Sequence, residues 1–225
     1  MKFLHIADVH LGIAPDAGKP WSSRRQQDIW DSFREVLAVA EREKVDLVLI
    51  AGDLFHRQPL MRELKQVNEL FGGLTRAKVA LIAGNHDYMH PRSNYRGFSF
   101  AENVIFFDRE QIKGVELPEY QACIYGLSYW HKEITDGLYD ALRPKDPAKI
   151  NILLAHGGDA KHIPMSEAAL RQNGFDYIAC GHIHKGGQII KNKAVMAGSL
   201  EPTDCNDFGP HGYWMGTFGA AGADV

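Results

Sequence analysis

Five short apolar runs in this chain each give way at once to residues that can bind a cation. Asp8-Val9-His10 follows the first run, Gly52-Asp53 the second and Gly84-Asn85-His86-Asp87 the third, with His156-Gly157 and Gly181-His182-Ile183-His184 after the last two. Carboxylate, amide oxygen and imidazole are ligands for hard or borderline divalent ions, which leaves Mn, Fe, Zn and Mg open. A carboxylate flanked by neutral ligands can bridge two such ions. A pair about 3.5–4 Å apart can hold a phosphate, acidify a bound water and stabilise the charge of an in-line displacement. A single Asp before a turn is ordinarily a turn former, and a single His is ordinarily a satisfied side chain. Their repetition at successive run ends is not what turn chemistry alone produces. If the strands continue, Asp-x-His and His-x-His place both side chains on one face, because strand side chains repeat every second residue.

The elements that must carry these groups are legible around them. Phe3 to Ala7, Leu47 to Ala51, Val79 to Ala83, Ile152 to Ala155 and Tyr177 to Cys180 read as buried strands ending at Gly-containing turns. Ile29, Trp30, Phe33, Val36, Leu37 and Ala40 recur at helical spacing, a second helix is expected over Arg62 to Leu74, and a third begins at the cap Ser166 and reaches Gln172. Further strands are expected at Val104 to Phe107, Ala122 to Leu127, Gln188 to Ile190, Ala194 to Ala197 and Tyr213 to Phe218. Residues 189–196 read as a hairpin turning at Lys191-Asn192-Lys193. Alternating strands and helices give an α/β core with a mixed sheet or two stacked sheets, and sites in such sheets form beyond the carboxyl ends of the strands. The small residues from Gly219 to Val225 are expected to fray.

Composition narrows the classes without choosing among them. A chain of 225 residues with 45% hydrophobic content can bury one substantial core. Its formal charge of -3 rules out a basic field over the whole molecule, so a grip on nucleic acid would need local patches or bound cations. Cys123, Cys180 and Cys205 are far apart and odd in number, which argues against a disulfide framework and fits a reducing cytoplasm. No apolar run approaches the roughly 18 residues of a membrane span.

Together the five motifs resemble the signature of the calcineurin-like metallophosphoesterases. The resemblance spans residues 8 to 184 and implies that family's four-layer fold, two mixed β-sheets between helices. It further implies two divalent metal ions, manganese being the expected pair. Asp8, His10, Asp53 and His184 would hold one ion, and Asp53, Asn85, His156 and His182 the other. His86 matches the family's catalytic histidine, which contacts the phosphate and protonates the leaving oxygen, with Asp87 expected to orient its ring.

Asp8-Val9-His10-Leu11-Gly12, Gly52-Asp53-Leu54-Phe55-His56 and Gly198-Ser199-Leu200-Glu201-Pro202 are similar to the SbcD-type DNA-repair nucleases, in which the histidine at the place of His56 handles the backbone phosphate. That likeness implies DNA as substrate and an SbcC-type ATPase as partner. Arg57, Arg62, Arg92, Arg96, Lys161 and Lys185 lie near the motifs and could follow a DNA backbone. SbcD-type nucleases continue into a capping domain and an ATPase-docking segment. The expectation here is one catalytic domain over residues 1–225 with no capping domain, either a minimal member or a catalytic fragment. Two other readings stay open: a phosphodiesterase or phosphomonoesterase for small substrates, and a scaffold that has kept the fold without catalysis. His5, His90, His131, His162 and His211 match no motif.

Overall fold

The structure is a computed structural model that describes residues 1–219 and 222–225. The opening half is β1 (Lys2–Ile6), α1 (Ser22–Arg42), β2 (Leu47–Ala51), α2 (Met61–Gly72) and β3 (Lys78–Ile82). Then come β4 (Val104–Phe106), β5 (Lys113–Leu117), β6 (Ala122–Gly126), β7 (Ile150–His156), α3 (Glu167–Gln172), β8 (Tyr177–Gly181), β9 (Gly187–Ile190), β10 (Ala194–Met196), β11 (Trp214–Gly219) and β12 (Gly222–Asp224). They form two six-stranded sheets, ordered β12-β11-β1-β2-β3-β4 and β5-β6-β7-β8-β10-β9. The second sheet is parallel in the middle and antiparallel at both edges, while the first is antiparallel only on its β11-β12 side and ends in the parallel β4, so both sheets are mixed.

The strand period of two divides the core. Phe3 and Ala7 of the first run, with Leu47, Leu49 and Ala51, face the second sheet, where they meet Ile152, Leu154, Tyr177 and Ala179. Leu4, Ile6, Val48 and Ile50 point the other way, onto Phe33 and Val36 of α1 and Leu64, Val67 and Phe71 of α2. On the outer face of the second sheet, Leu153, Ile178 and Cys180 are covered by Leu170 of α3 and by Tyr129, Tyr139 and Ile163 from irregular chain. The expected four layers are present, with the last built from one short helix and loops. Hydrophobic burial on both faces of each sheet explains why the central strands read as unbroken apolar runs.

Two strands escape notice in the sequence. β5 is a half-exposed edge strand carrying Lys113 and Glu116, so it lacks an apolar run. Of the tail expected to fray from Gly219 to Val225, Gly219 ends β11, Ala220 and Ala221 lie outside the described residues, and Gly222–Asp224 form β12, paired antiparallel with Thr217 to Gly219, with Ala223 and Val225 packed on the inter-sheet core. Backbone pairing on a sheet edge and a little apolar cover outweigh the weak propensity of so small-sided a segment.

The two sheets converge where β8 ends. A Cβ on Gly181 would run into the carbonyl oxygen of Ala51 and the methyl of Ala7, so only glycine lets β8 pass this close to β1 and β2. Replacing Gly181 by Ala is expected to cost about 1–3 kcal/mol by overpacking. Gly187→Ala, at a site with open space around it, should stay within about 0.5 kcal/mol of the parent. Urea denaturation of the two variants measures both, and equal stabilities would contradict this close approach.

Candidate metal centre

Every one of the five motifs lies at the carboxyl end of a parallel strand, and their side chains meet in one crevice. His10 Nε2 is 3.0 Å from His184 Nε2, while Asp53 Oδ2 is 3.5 Å from His156 Nε2 and 4.0 Å from His10 Nε2. Asn85 Oδ1 lies 2.9 Å from His156 Nε2 and 3.1 Å from His182 Nδ1. Asp8, His10, Asp53, Asn85 and His156 are buried, whereas His182 and His184 are partly open. Two sets of donor atoms close enough to share an ion are Asp8 with His10 and His184, and Asp8 with Asp53 and His156.

The paired ligands do not converge by strand alternation, as continued strands would make them do. β1 stops at Ile6, and Asp8 and His10 adopt φ of 50° and 52°; Asp53 lies at 50° and His182 at 99°. Left-handed backbone is costly for residues with a Cβ, and such strain persists only where surroundings over-determine it. Here they do. His10 N donates to Asp53 O, Asp8 N to Gly52 O and Leu11 N to Leu54 O, which lashes the first loop to the second. His182 N donates to both oxygens of Asp8 at 3.1 and 2.9 Å, joining the first sheet to the second. A Cβ on Gly84 would strike Asp53 Oδ1, so the third loop can close over Asp53 only without one.

The outer nitrogen of each of three imidazoles is fixed by an acceptor. His156 Nδ1 donates to Ala51 O at 2.9 Å, His182 Nε2 to Asp159 at 2.8 Å and His184 Nδ1 to Asp207 at 3.1 Å. In the neutral rings this sets the tautomer and turns the inner nitrogens inward as lone pairs. His156 Nε2 and His182 Nδ1 lie 2.9 and 3.1 Å from Asn85 Oδ1, and in the neutral rings both nitrogens offer lone pairs to that point. Lone pairs hold that spacing when a cation with ligands at about 2.0–2.2 Å sits between them. The donor set therefore fits divalent metal.

Charge tells the same story. Burial, together with the charge of Asp53, pushes the Asp8 carboxyl up to about 8. Burial opposes protonation of His156, but Asp53 and Asp8 outweigh it and hold that ring up at about 9; in the cation-free protein a proton takes the cation's place. Burial would raise Asp53 as well, yet His156 and His10 keep it far below the ordinary carboxylate range. His10 itself is pushed down to about 3 by burial.

His86 and His56 stand at the open side. The His86 ring is 4.8 Å from that of His10 and 4.9 Å from that of His56, and His56 Nδ1 is 3.4 Å from His10 Nδ1. His86 N donates to Asp53 Oδ1 at 2.9 Å. Asp87 does not orient the His86 ring: its buried carboxylate accepts from Gly84 N, Phe55 N and the Tyr95 hydroxyl, and so holds the loop shut from behind. The ring is set by the carbonyl of His56, 3.0 Å from His86 Nδ1. Adjacent residues in a tight loop point apart, which is why Asp87 faces inward.

Asp159 and Asp207 escaped sequence reasoning. Asp159 follows His156 after two glycines, a cue of loop chemistry, but nothing in the spacing ties Asp207 to His184. Asp207 also accepts from Ser199 Oγ, Thr203 N and Thr203 Oγ1, which gives the Gly198-Ser199 motif its structural meaning. His211 braces the same loop on Ser199, and His162 shares Asp159 with His182. Of the basic residues near the motifs, Arg57 is held in a two-bonded pair by Glu63, at 2.9 and 2.8 Å, so its guanidinium is not free as expected, while Lys161 has only an exposed pair with Glu133 at 3.3 Å.

A calcineurin-like phosphoesterase family profile matches residues 1–186. The chain belongs to that family. It is 28% identical over 237 residues to the uncharacterized metallophosphoesterase YhaO of Bacillus subtilis, covering 96% of this chain and 57% of that one. It is 29% identical over 222 residues to the DNA double-strand break repair protein Mre11 of Methanocaldococcus jannaschii, covering 92% and 58%, and 44% identical over 124 residues to the Mre11 of Aeropyrum pernix, covering 54% and 27%. The chain thus spans little more than half the length of the first two relatives. A novel archaeal phosphodiesterase of known structure superposes with a TM-score of 0.44 at 15% identity, covering 89% of this chain and 85% of that one. Family membership makes this calcineurin-like phosphoesterase a metal-dependent hydrolase of phosphoesters. Among the described residues, no helix is long and apolar enough to cross a membrane.

Asp207→Ala is expected to weaken divalent metal binding by about 10–100-fold through loss of His184 orientation, measured by titration calorimetry. Unchanged affinity would contradict that role. Asp8 and His156 keep protons in the folded, cation-free protein at pH values where the unfolded chain, with ordinary values of 3.8 and 6.5, has released them. Stability of the cation-free form therefore falls as pH rises toward about 8 and then about 9. Cations displace those protons, so the rise in Tm from chelated to manganese-saturated protein should be larger near pH 9 than near pH 6.5. A gain that shrinks with rising pH would count against this charge balance.

Proposed function

We propose that this phosphoesterase is a two-metal DNA phosphodiesterase of the SbcD and Mre11 kind, working with manganese and with an SbcC-type ATPase as partner, in the cytoplasm. The observation that carries the reading is His56, a half-buried imidazole beside His10 and His86 at the open side of the crevice, where a phosphodiester bound at the centre would pass. Relatives named as DNA double-strand break repair proteins across most of the chain support it. In this assignment Asp8, His10, Asp53 and His184 hold one ion, and Asp53, Asn85, His156 and His182 the other. When bound, the two ions neutralise the phosphate and lower the pKa of a bound water.

The chain's own groups do the rest. His86, with Nδ1 donating to the His56 carbonyl, presents Nε2 to the leaving oxygen and can deliver its proton there. His56 holds a non-bridging oxygen of the phosphate. Asp87 and Tyr95 keep the loop that carries Asn85 and His86 in place through transition-state formation.

End-labelled single- and double-stranded DNA, with bis-p-nitrophenyl phosphate alongside and manganese present, tests the reading. His86→Ala should lower DNA cleavage by about 10²–10⁴-fold, with a smaller loss on the small diester whose nitrophenolate leaves almost without help, while metal stoichiometry stays at the parent value. His56→Ala should lower DNA cleavage more than turnover of the small diester. Turnover of the small diester alone by the parent protein would move the substrate to small phosphodiesters and sink the nuclease proposal.

A further inference from the structure

Behind the Asn85–Asp87 loop lies a second cavity of about 420 Å³, walled by Tyr95, Phe98, Phe100 and Phe106 on one side and by Trp130 with Arg96 and Arg109 on the other. Its volume falls within the range of about 300–1,000 Å³ usual for small-molecule sites. The aromatic wall is already packed: Tyr95 stacks on Phe106 with centroids 5.0 Å apart, and Phe100 lies 5.3 Å from Phe106 and 4.9 Å from Phe98. Trp130 is fixed too, its indole N–H donating to Asp108 O and its backbone N–H to Glu110. Such surfaces accept a planar ring without having to reorganise.

The cations make this cavity unlike an ordinary apolar hollow. Arg96 and Arg109 lie 5.0 and 5.8 Å from the Trp130 ring, so both guanidinium groups share one small surface. Among the described residues Arg96 forms no ion pair, in contrast to Arg57. Arg109 has only Asp108, at 3.8 Å and with both side chains more than half exposed, an arrangement worth little in water. The nearby carboxylate of Glu110 is occupied by His131 and by two backbone N–H groups. Two guanidinium groups, Arg96 without an ion pair and Arg109 with only its exposed pair to Asp108, which also lines the cavity, stand beside an aromatic wall and match a nucleotide: phosphate on the cations, base against the rings.

The cavity also touches the catalytic machinery. Tyr95 donates to Asp87, which holds the loop bearing Asn85 and His86. Trp130 adjoins Tyr129, whose hydroxyl donates to the His156 carbonyl and whose ring meets the His156 ring edge-on at 5.5 Å. The loops bearing Tyr95, Arg109 and Trp130 follow the carboxyl ends of β3, β4 and β6, which run parallel to strands carrying the ligands, so a DNA strand whose scissile phosphate sat at the metal centre could place a neighbouring nucleotide here.

We propose that the Arg96–Trp130–Arg109 cavity is a nucleotide subsite that grips single-stranded DNA beside the metal centre; this rests on the reading of the protein as a DNA phosphodiesterase. The test compares the parent with the Arg96→Ala, Arg109→Ala double variant and with a second double variant carrying Lys at both positions. Cleavage of a labelled oligonucleotide is followed over a series of salt concentrations, with bis-p-nitrophenyl phosphate, too short to reach the cavity, as the control on folding and metal binding. The Ala variant should show a KM for the oligonucleotide raised about tenfold, a salt dependence of log(kcat/KM) shallower by about 2, and unchanged turnover of the small diester. The Lys variant should recover the salt slope but only part of the affinity, since an ammonium cannot stack as a guanidinium does. An Ala variant that cleaves DNA with the parent's KM and salt slope overturns the subsite and leaves the nuclease reading standing. A parent protein that cleaves the small diester and no DNA overturns both.

Discussion

Asp53 carries its charge at the centre of a crevice that water hardly enters, and the rest of the site is built around that fact. Its carboxylate is 1% exposed by residue, accepts from His86 N, and lies within about 4 Å of ring nitrogens of both His156 and His10. A buried carboxylate without compensation would cost several kcal/mol or give up its charge. Asp8 does lean toward the neutral form, and His156 toward the charged one, because in the absence of cations the centre must borrow protons. Divalent ions bound here would relieve all three at once. Asn85 Oδ1, 2.9 Å from His156 Nε2 and 3.1 Å from His182 Nδ1, gathers onto one point the donors that a cation would share.

The fold meets this requirement by stacking two mixed sheets so that the ends of their central parallel strands open on one crevice. Turns at these ends take left-handed backbone at Asp8, His10, Asp53 and His182, and hydrogen bonds between loops hold the strain. Gly84 and Gly181 allow approaches that no side chain would permit. Behind the ligands, Ala51 O, Asp159 and Asp207 select the nitrogen that each histidine offers. Chemistry at the centre thus depends on residues that never meet a substrate.

What could be seen in the sequence follows from which forces act locally. The central strands were visible because burial on both faces makes them continuous apolar runs, and the ligands because they interrupt those runs abruptly. Helix α1 shows its apolar stripe from Ile29 onward, but its polar first turns from Ser22 carry no such mark. The edge strands β5 and β12 owe their existence to pairing rather than to side-chain pattern, so they stayed hidden. The same distinction separates the site residues. Asp87 was noticed for its neighbour His86, yet a tight loop turns it the opposite way, toward Tyr95. Asp207 and Asp159 act through space on histidines 23 residues away in the chain, a relation no spacing rule encodes. Arg57 lies next to His56 in sequence, but Glu63, in the first turn of α2, claims its guanidinium.

The defining property of this centre is where divalent ions bind. Anomalous scattering from manganese-soaked crystals locates them without reference to activity. Two peaks about 3.5–4 Å apart with Asp53 between them, one against Asp8, His10 and His184 and the other against Asn85, His156 and His182, are the predicted result. A single peak, or a pair that leaves Asp53 without a metal contact, would contradict it.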